Sequence, residues 1–271
     1  MYNFKQKPTL HKCFIYSMIP VLKHLNNFAL MNKHIFLKII LSSCMLFTIT
    51  FTSASCTKKP TPLSEFALEE NSGSAMMESV KQFVEISPRD SGTVNSGRAA
   101  QWLSKEIKKC GLTPQADTWI EQTLNGRIAF SNIFADYPGE TPQTILIGCH
   151  YDTKSGIGET FQGANDGGST VGVMLELMRQ LKEKNVMLKH TIRFAFFDGE
   201  ECIGESYSAH TGLHGSTRMA NYYFNNAKDT LKNVIIIDMV GDKELVLEIP
   251  RNVTPKRAKQ AMLAAMQNRN A

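Results

Sequence analysis

Apolar residues recur along the chain at two spacings, one typical of helices packed on a core and one typical of buried strands. The first spacing predicts helices over residues 74–86, 96–109, 169–184, 216–225 and 256–267. Short apolar runs between turn residues predict strands over residues 118–122, 128–134, 144–148, 191–197, 234–237 and 245–249. Asn125 and Gly126 separate the first two strands, which is typical of a hairpin. Strands that alternate with helices predict an α/β fold, with a doubly wound, mostly parallel (mixed) sheet flanked by helices.

Acidic residues and a histidine gather directly after the predicted strands. The residues concerned are His150, Asp152, Asp166, Glu200, Glu201 and Asp238. In an open α/β sheet, groups that lie just past the strand ends converge on one crevice. Carboxylates gathered there with a histidine cost free energy unless a cation or protons compensate their charge. The pattern therefore predicts a metal site, with zinc as the expected ion, and favours an enzyme.

Each of these residues also has a purely structural interpretation. Asp166 stands between small residues before a helix, where a turn-forming aspartate is common. The Glu200–Glu201 pair can be solvated, His150 can be a core histidine, and Asp238 can cap a turn. The strands that precede these residues favour the metal site, in which one glutamate binds the ion while its neighbour transfers protons. Asp152 is then expected to accept a hydrogen bond from the ring of His150.

Length and charge limit the classes of protein to consider. A chain of 271 residues with 42% apolar residues suits one globular domain. The formal net charge is +5, but six of the 30 basic residues lie in residues 1–56, which contain no acidic residue. The rest of the chain holds 24 basic and 25 acidic residues and is close to neutral. This balance gives no reason to expect a nucleic-acid partner.

The first 56 residues predict a targeting region. Residues 31–34 are basic, residues 35–52 are mostly apolar, and small residues precede Cys56, as in a secretory signal. The terminal cysteine resembles a bacterial lipoprotein signal, with Cys56 lipidated and Met31 as the true start. The alternative is an uncleaved membrane anchor, since a span needs about 18 apolar residues. Both predict an extracytoplasmic, membrane-attached protein, in the periplasm or at the cell surface.

The remaining chain divides into a tether and a domain. Residues 57–73 are polar and contain prolines, which is typical of a tether, and residues 74–271 form the predicted domain. Three cysteines, Cys110, Cys149 and Cys202, lie in that domain, an odd number without a C-x-x-C motif. Buried thiols are therefore expected, with a Cys149–Cys202 bridge as the alternative.

Five short motifs together resemble a known family. They are His150–Asp152, Gly163–Gly167, Phe196–Glu201, Leu213–Ser216 and Ile237–Gly241. In this order and spacing they are similar to the zinc aminopeptidases and their close relatives, the glutaminyl cyclases. The resemblance covers residues 87–250, is most specific over residues 150–241, and implies a zinc exopeptidase-like fold.

Carried over position by position, the resemblance implies a role for five residues. Asp166 would be a zinc ligand, bridging two ions in a peptidase, and Glu201 would be the next ligand. Glu200 would be the acid/base carboxylate. His150 would bind a second zinc ion in a peptidase and be a non-ligand in a cyclase with one zinc ion. Asp238 would bind the second zinc ion in a peptidase or orient the substrate in a cyclase.

Three details are closer to a cyclase than to an aminopeptidase. Thirteen residues separate Glu201 from Gly215, and residues 126–132 and 149–154 resemble the corresponding cyclase segments. The resemblance then implies a glutaminyl-peptide cyclotransferase that acts on peptide or protein N-termini and forms pyroglutamate, with one zinc ion. The alternative is an aminopeptidase of the same family, with two zinc ions.

One feature departs from the family pattern. Both kinds of relative have a further zinc-binding histidine in a later loop, whereas His214 is the last histidine of this sequence. We therefore expect a domain that is incomplete at its C-terminus and lacks the last strands. Zinc affinity is then expected to be low unless His150, His210 or water completes the ligands. An inactive truncated homologue and a non-catalytic surface lipoprotein that binds peptides or partners stay open as alternatives.

Overall fold

The computed structural model describes residues 12–14, 59–204, 206–208, 210–225 and 230–248. The predicted signal over residues 31–56 and the predicted helix over residues 256–267 lie outside these ranges. Within them, no helix combines the length and the hydropathy that a membrane span requires.

The helices and strands follow one another in an alternating order. They are β1 (Lys12–Phe14), β2 (Thr61–Pro62), a 3-10 turn (Leu63–Glu65), α1 (Ser72–Val84), α2 (Val94–Lys109), β3 (Gln115–Thr123), β4 (Gly126–Tyr137), β5 (Thr141–His150), a π-helical turn (Ala164–Gly168), α3 (Ser169–Glu183), β6 (Val186–Met187), β7 (His190–Phe197), α4 (His214–Asn225), β8 (Leu231–Ile236) and β9 (Val246–Glu248). Every predicted helix and strand within the described residues is confirmed, with ends that differ by at most three residues. The short strands β1, β2 and β6 were not predicted.

Five strands form the main sheet, in the order β3-β4-β7-β5-β8. Strand β5 lies between β7 and β8 and is parallel to both, whereas β3 and β4 form an antiparallel hairpin at one edge. The predicted mixed α/β sheet is therefore confirmed. Because β5, β7 and β8 are parallel, their carboxyl ends meet at the same edge of the sheet.

Helices cover both faces of this sheet. On one face, α1, α2 and α3 pack on inward residues of β4, β5 and β7, such as Ile133, Cys149 and Phe194. On the other face, Met219 and Tyr223 of α4 pack in a smaller cluster. Neighbouring residues of one strand therefore point into different cores, as the pleat of a strand requires.

The chain before α1 contacts the domain. The Thr61 N–H donates to the carbonyl of Asn185 at 3.0 Å, and the Thr61 hydroxyl donates to the carbonyl of Lys184 at 2.7 Å. The Glu69 N–H donates to the Gln180 side chain at 3.0 Å. The later part of the predicted tether, residues 61–73, thus lies on the domain at the end of α3.

Cys110, Cys149 and Cys202 are free thiols. The expectation of buried thiols is confirmed for Cys149 and Cys202, and Cys110 is half-buried. Burial raises the pKa of the Cys110 thiol to about 11 and that of the Cys149 thiol to about 12. Thiols that are protonated at neutral pH are poor nucleophiles, so these two have a packing role.

Candidate metal centre

A glycine-rich turn presses Asp166 against the end of β5. Gly163 and Gly167 have φ values of +52° and +78°, which glycine adopts without steric cost. A Cβ atom on Gly167 would lie 3.1 Å from Cε1 of His150, so the turn passes the imidazole closely. The local sequence therefore places the Asp166 carboxylate beside the His150 ring.

The predicted site residues meet around His150 in two groups. The aspartate group consists of His150, Asp166 and Asp238, and the glutamate group of His150, Glu200 and Glu201. Within each group, the candidate ligand atoms lie within 4.8 Å of one another. Nε2 of His150 is 2.9 Å from Oδ1 of Asp166 and 3.4 Å from Oδ1 of Asp238. The roles of the five residues as ligands or catalysts remain predictions.

Unpaired buried atoms in this place fit a cation. His150 is only 3% exposed, and neither of its ring nitrogens has an aligned hydrogen-bond partner despite the nearby carboxylates. Oδ1 of Asp238 is likewise buried without one. A buried polar atom left in this state costs about 1–3 kcal/mol. Imidazole nitrogen and carboxylate oxygen are donors that zinc accepts, so the residues fit that ion.

The charges of the site perturb its acid–base behaviour. Burial raises the pKa of Glu200 to about 7 and that of Glu201 to about 8, and neighbouring aspartates act in the same direction. Burial lowers the pKa of His150, but the nearby carboxylates of Asp152, Asp166 and Asp238 outweigh it and raise the pKa well above its usual value. Without a cation the site therefore retains protons, which a metal ion would displace.

Asp152 holds the glutamate turn. Its Oδ1 accepts a hydrogen bond from the Glu200 N–H, and its Oδ2 accepts one from the Glu201 N–H, both at 3.1 Å. Its nearest oxygen lies 3.5 Å from Nδ1 of His150, without the alignment of a hydrogen bond. The expected hydrogen bond from the histidine ring is thus absent, because both carboxylate oxygens are directed to the backbone of the neighbouring loop.

Asp238 is held by the turn that carries Asp166. The Val240 N–H donates to the Ser169 hydroxyl at 3.0 Å, and the Gly241 N–H donates to the Asn165 side chain at 2.8 Å. Met239, between Asp238 and these contacts, has a φ of +51°, which is unusual outside glycine. The strained backbone and its two hydrogen bonds fix the separation within the aspartate group.

Two further polar side chains reach the site and were missed in the sequence. The Tyr207 hydroxyl lies 3.2 Å from Oε2 of Glu200 and 3.3 Å from Oε2 of Glu201. The Ser91 hydroxyl lies 3.4 Å from Oδ2 of Asp152 and donates to the neighbouring Asp198 at 2.8 Å. Tyr207 belongs to a polar loop without periodicity, and Ser91 to a turn that is conspicuous only as a helix breaker, so neither carried a usable pattern.

The other candidate histidines lie outside both groups. His214 begins α4, stacks on Phe130 with ring centroids 4.7 Å apart, and approaches Glu121 at 3.2 Å. It borders a cavity of about 700 Å³ between β3 and α4. His210 is exposed. Among the described residues, His150 is therefore the imidazole that the structure offers to a metal ion.

The chain is similar in sequence to two kinds of known protein. The chain is 24% identical over 159 residues to glutaminyl-peptide cyclotransferase of Drosophila melanogaster, covering 57% of this chain and 45% of that protein. It is 28% identical over 160 residues to leucine aminopeptidase 1 of Paracoccidioides brasiliensis, covering 56% of this chain and 38% of that protein. The chain thus spans about half, or less, of the length of these curated relatives.

A solved structure shows the same architecture. The crystal structure of Acidobacteriales bacterium glutaminyl cyclase superposes with a TM-score of 0.66 at 27% identity, covering 78% of this chain and 72% of that one. The family model for peptidase family M28 matches residues 132–270, just over half of the chain, and this range includes both groups around His150. The chain therefore belongs to peptidase family M28, as the order of its motifs predicted.

Proposed function

We propose that this chain is a zinc-dependent glutaminyl-peptide cyclotransferase, which converts the N-terminal glutaminyl residue of a peptide or protein into pyroglutamate and releases ammonia. The observation that carries the proposal is the placement of Glu200 beside His150 and Glu201, under the loop that contributes Tyr207. The cyclotransferase relatives and the solved glutaminyl cyclases support it.

The donors of the site suit one zinc ion. Asp166 of the aspartate group and Glu201 of the glutamate group would hold it, with His150, which both groups contain, as the nitrogen donor. When bound, zinc would polarise the side-chain amide carbonyl of the substrate as a Lewis acid. Asp238, whose side chain is 22% exposed, remains accessible to accept a hydrogen bond from the N-terminal amine of the substrate and orient it.

Glu200 is placed to move the proton that cyclisation requires. The substrate amine forms a bond with the side-chain amide carbon and loses a proton, which the Glu200 carboxylate accepts. The same proton then goes to the amide nitrogen as its bond to carbon breaks, so ammonia leaves and no water is consumed. The raised pKa of Glu200, about 7, suits a group that takes and returns a proton near neutral pH.

The deciding assay offers the zinc-loaded full chain a peptide with N-terminal glutamine. Ammonia release and a peptide mass lower by one ammonia are the expected results. Glu200→Gln should lower the rate by about 100- to 10,000-fold, the usual contribution of a general acid–base, while zinc stays bound. Glu159→Gln, in an exposed loop, is the matched control. Stoichiometric zinc without ammonia release in the unmodified chain would rule out the cyclase proposal.

A second candidate activity is that of an aminopeptidase. The supporting observation is that His150 lies near two pairs of carboxylates, Asp166 with Asp238 and Glu200 with Glu201. The resemblance to aminopeptidases implies that Asp166 would bridge two ions held by these residues. In this reaction Glu200 would take a proton from water as the water attacks the carbonyl carbon of the first peptide bond, and would pass the proton to the nitrogen as the bond from carbon to nitrogen breaks. Release of free leucine from a leucyl peptide, with two zinc ions per chain by elemental analysis, would favour this candidate over the cyclase.

We further propose that the protein acts outside the cytoplasm, attached to a membrane through Cys56 or an uncleaved signal. The targeting pattern of residues 31–56 supports this location, and those residues lie outside the described ranges. Mass spectrometry of the mature N-terminus checks it, with a lipidated Cys56 as the expected product. A chain that binds no zinc would instead favour a non-catalytic surface lipoprotein.

A further inference from the structure

Arg89 has a fully buried side chain in the turn between α1 and α2. A guanidinium is rarely buried to this extent, because removing its charge from water costs several kcal/mol unless hydrogen bonds replace the lost water. The ring of Phe83 lies against it, with the guanidinium carbon 4.3 Å from the ring centroid. Its burial therefore calls for partners that use its donors.

The donors of Arg89 reach backbone carbonyls at both ends of the loop that connects His150 to the turn of Asp166. Nε donates to the carbonyl of Tyr151 at 2.9 Å. Nη1 donates to the carbonyl of Gln162 at 2.9 Å, and Nη2 donates to the carbonyl of Gly163 at 3.2 Å. One planar group thus joins two chain segments that are separated by an extended, mostly exposed loop.

Both joined segments are next to predicted metal ligands. Tyr151 directly follows His150, and Gly163 precedes Asp166 by three residues. Residues 151–163 contain no helix or strand, so backbone hydrogen bonding within the loop does not set the distance between its ends. The Arg89 N–H also donates to the Thr153 hydroxyl at 2.7 Å, which adds a further connection at the same place.

We infer that Arg89 is a positioning residue of the metal centre, whose guanidinium sets the separation of His150 and Asp166 by joining the carbonyls of Tyr151, Gln162 and Gly163. It does this without being a ligand itself. The inference rests on the metal centre of the proposed function and holds for a cyclase and for an aminopeptidase alike.

Geometry can be separated from charge at this position. Arg89 also places a positive charge near Asp152 and Asp166, which any cation would do. Lysine would keep that charge, but its single ammonium group cannot span three carbonyls as the planar fork of a guanidinium does. Arg89→Lys therefore tests the bridging, and Arg89→Met removes both bridging and charge.

The experiment measures zinc affinity of the purified full chain by competition with a chelating dye, and the visible absorption spectrum of the cobalt-substituted chain. We expect Arg89→Lys to lower zinc affinity by about 10- to 100-fold, the usual effect of residues that orient ligands, and to change the cobalt spectrum. Arg193→Lys is the matched control. Arg193 pairs with Asp136 at 2.7 Å, contacts Tyr223 of α4 on the opposite face, and should leave both measurements unchanged.

A milder variant covers the case in which Arg89 variants fail to fold. The Ser87 hydroxyl accepts a hydrogen bond from Nη1 of Arg89 at 2.7 Å and lies 3.2 Å from the carbonyl of Gln162. Ser87→Ala should keep the fold and lower zinc affinity by a smaller factor, with a cobalt spectrum shifted in the same direction.

Three results would overturn the inference. The first is an Arg89→Lys chain that binds zinc as tightly as the unmodified chain and gives the same cobalt spectrum. The second is an equal loss of affinity in Arg193→Lys, which would indicate general destabilisation. The third is an unmodified chain that binds no zinc, which would remove the metal centre as well. Ammonia release is measured separately, so a zinc-binding chain without turnover would contradict the proposed cyclase reaction alone.

Discussion

The two groups that share His150 are held in different ways. In the aspartate group, the backbone around Asp238 is tied to the turn of Asp166 through Asn165 and Ser169. In the glutamate group, both backbone N–H groups donate to Asp152, and the Glu200 carbonyl accepts a hydrogen bond from the Leu213 N–H. The two carboxylates are instead approached by Tyr207, which lies in a partly exposed loop.

This difference separates two requirements of a metal enzyme. A metal ligand must already lie at its binding distance, which favours the rigid backbone of the aspartate group. A proton-transferring carboxylate must adjust to the reacting atoms, which favours a fixed backbone with a freer side chain, as in the glutamate group. The comparison thus supports the proposal that Asp166 mainly binds the ion and Glu200 mainly transfers the proton.

The largest expected effect is a difference in zinc affinity between an Asp166 variant and a Glu200 variant. Asp166→Asn should lower zinc affinity by more than about 100-fold, beyond the range typical of residues that only orient ligands. Glu200→Gln should bind zinc within a few-fold of the unmodified chain. Equilibrium dialysis with elemental analysis provides the measurement. Equal zinc loss in both variants would abolish the proposed division between the groups.

Zinc should stabilise the chain by joining the two groups. At a free zinc concentration 100 times the dissociation constant, the free energy of unfolding should rise by about 2.7 kcal/mol. Urea unfolding with and without zinc measures this, and a chelator should reverse it. Glu201→Gln should reduce the gain if the glutamate group also holds the ion.

The unfolding free energy of the metal-free chain should also depend on pH, which the same urea unfolding experiment can measure. The pKa values of Glu200 and Glu201 in the folded chain, about 7 and about 8, lie above the value of about 4.3 for unfolded glutamate. The folded chain then binds more protons than the unfolded chain, so its unfolding free energy should fall as pH rises from about 4.3 to about 8. Saturating zinc should weaken this decline, since the ion replaces the protons. If zinc does not weaken the decline, groups other than Glu200 and Glu201 are responsible for it.

A smaller loss of stability is expected when Asp152 is replaced. This residue accepts hydrogen bonds from both backbone N–H groups of the glutamate group. In Asp152→Asn, one backbone N–H faces an amide NH₂ and loses its acceptor, at a cost of about 1–3 kcal/mol in unfolding free energy. The control is Asp117→Asn, in an exposed pair with Arg218, where about 1 kcal/mol or less is expected. Urea unfolding of the metal-free chains compares the two.

The smallest expected effect is at Tyr207. Tyr207→Phe removes one hydroxyl from both glutamates, and a typical hydrogen bond of about 1 kcal/mol corresponds to roughly a fivefold change in rate. We expect this loss in kcat, with zinc affinity unchanged, from steady-state kinetics and dye competition. A large loss of zinc affinity would show that the loop holds the glutamate group more firmly than its contacts suggest.

Local patterns predicted most of the fold and the main site residues. The helical spacing from Ser169 placed α3, and the pair Asn125-Gly126 placed the β3–β4 hairpin. His150 and Glu200 were found because each lies at or just past the carboxyl end of a strand, where an α/β sheet collects its functional groups.

The remaining contacts could not be predicted because they join segments far apart in sequence. Arg89 and Gly163 are 74 residues apart, and nothing near Arg89 indicates its partner. The strands β2 and β6 have two residues each, too few for any periodicity to appear. Asp152 was expected at the histidine ring, but its choice of partner depended on the fold of the glutamate turn.

The contact of Thr61 with Asn185 and Lys184 bears on how a membrane-attached form of the protein would be oriented. Helix α3 starts beside the metal centre and ends at Glu183, next to Lys184, and its 15 residues span about 22 Å at 1.5 Å per residue. Cys56 lies only five residues before Thr61. A lipid on Cys56 would attach the protein to the membrane on the side where α3 ends. The metal centre, beside the start of α3, would then face away from the membrane and be accessible to the N-termini of large secreted polypeptides. Equal turnover of a bulky glutaminyl protein by the membrane-attached and the released enzyme is the result that such an orientation requires.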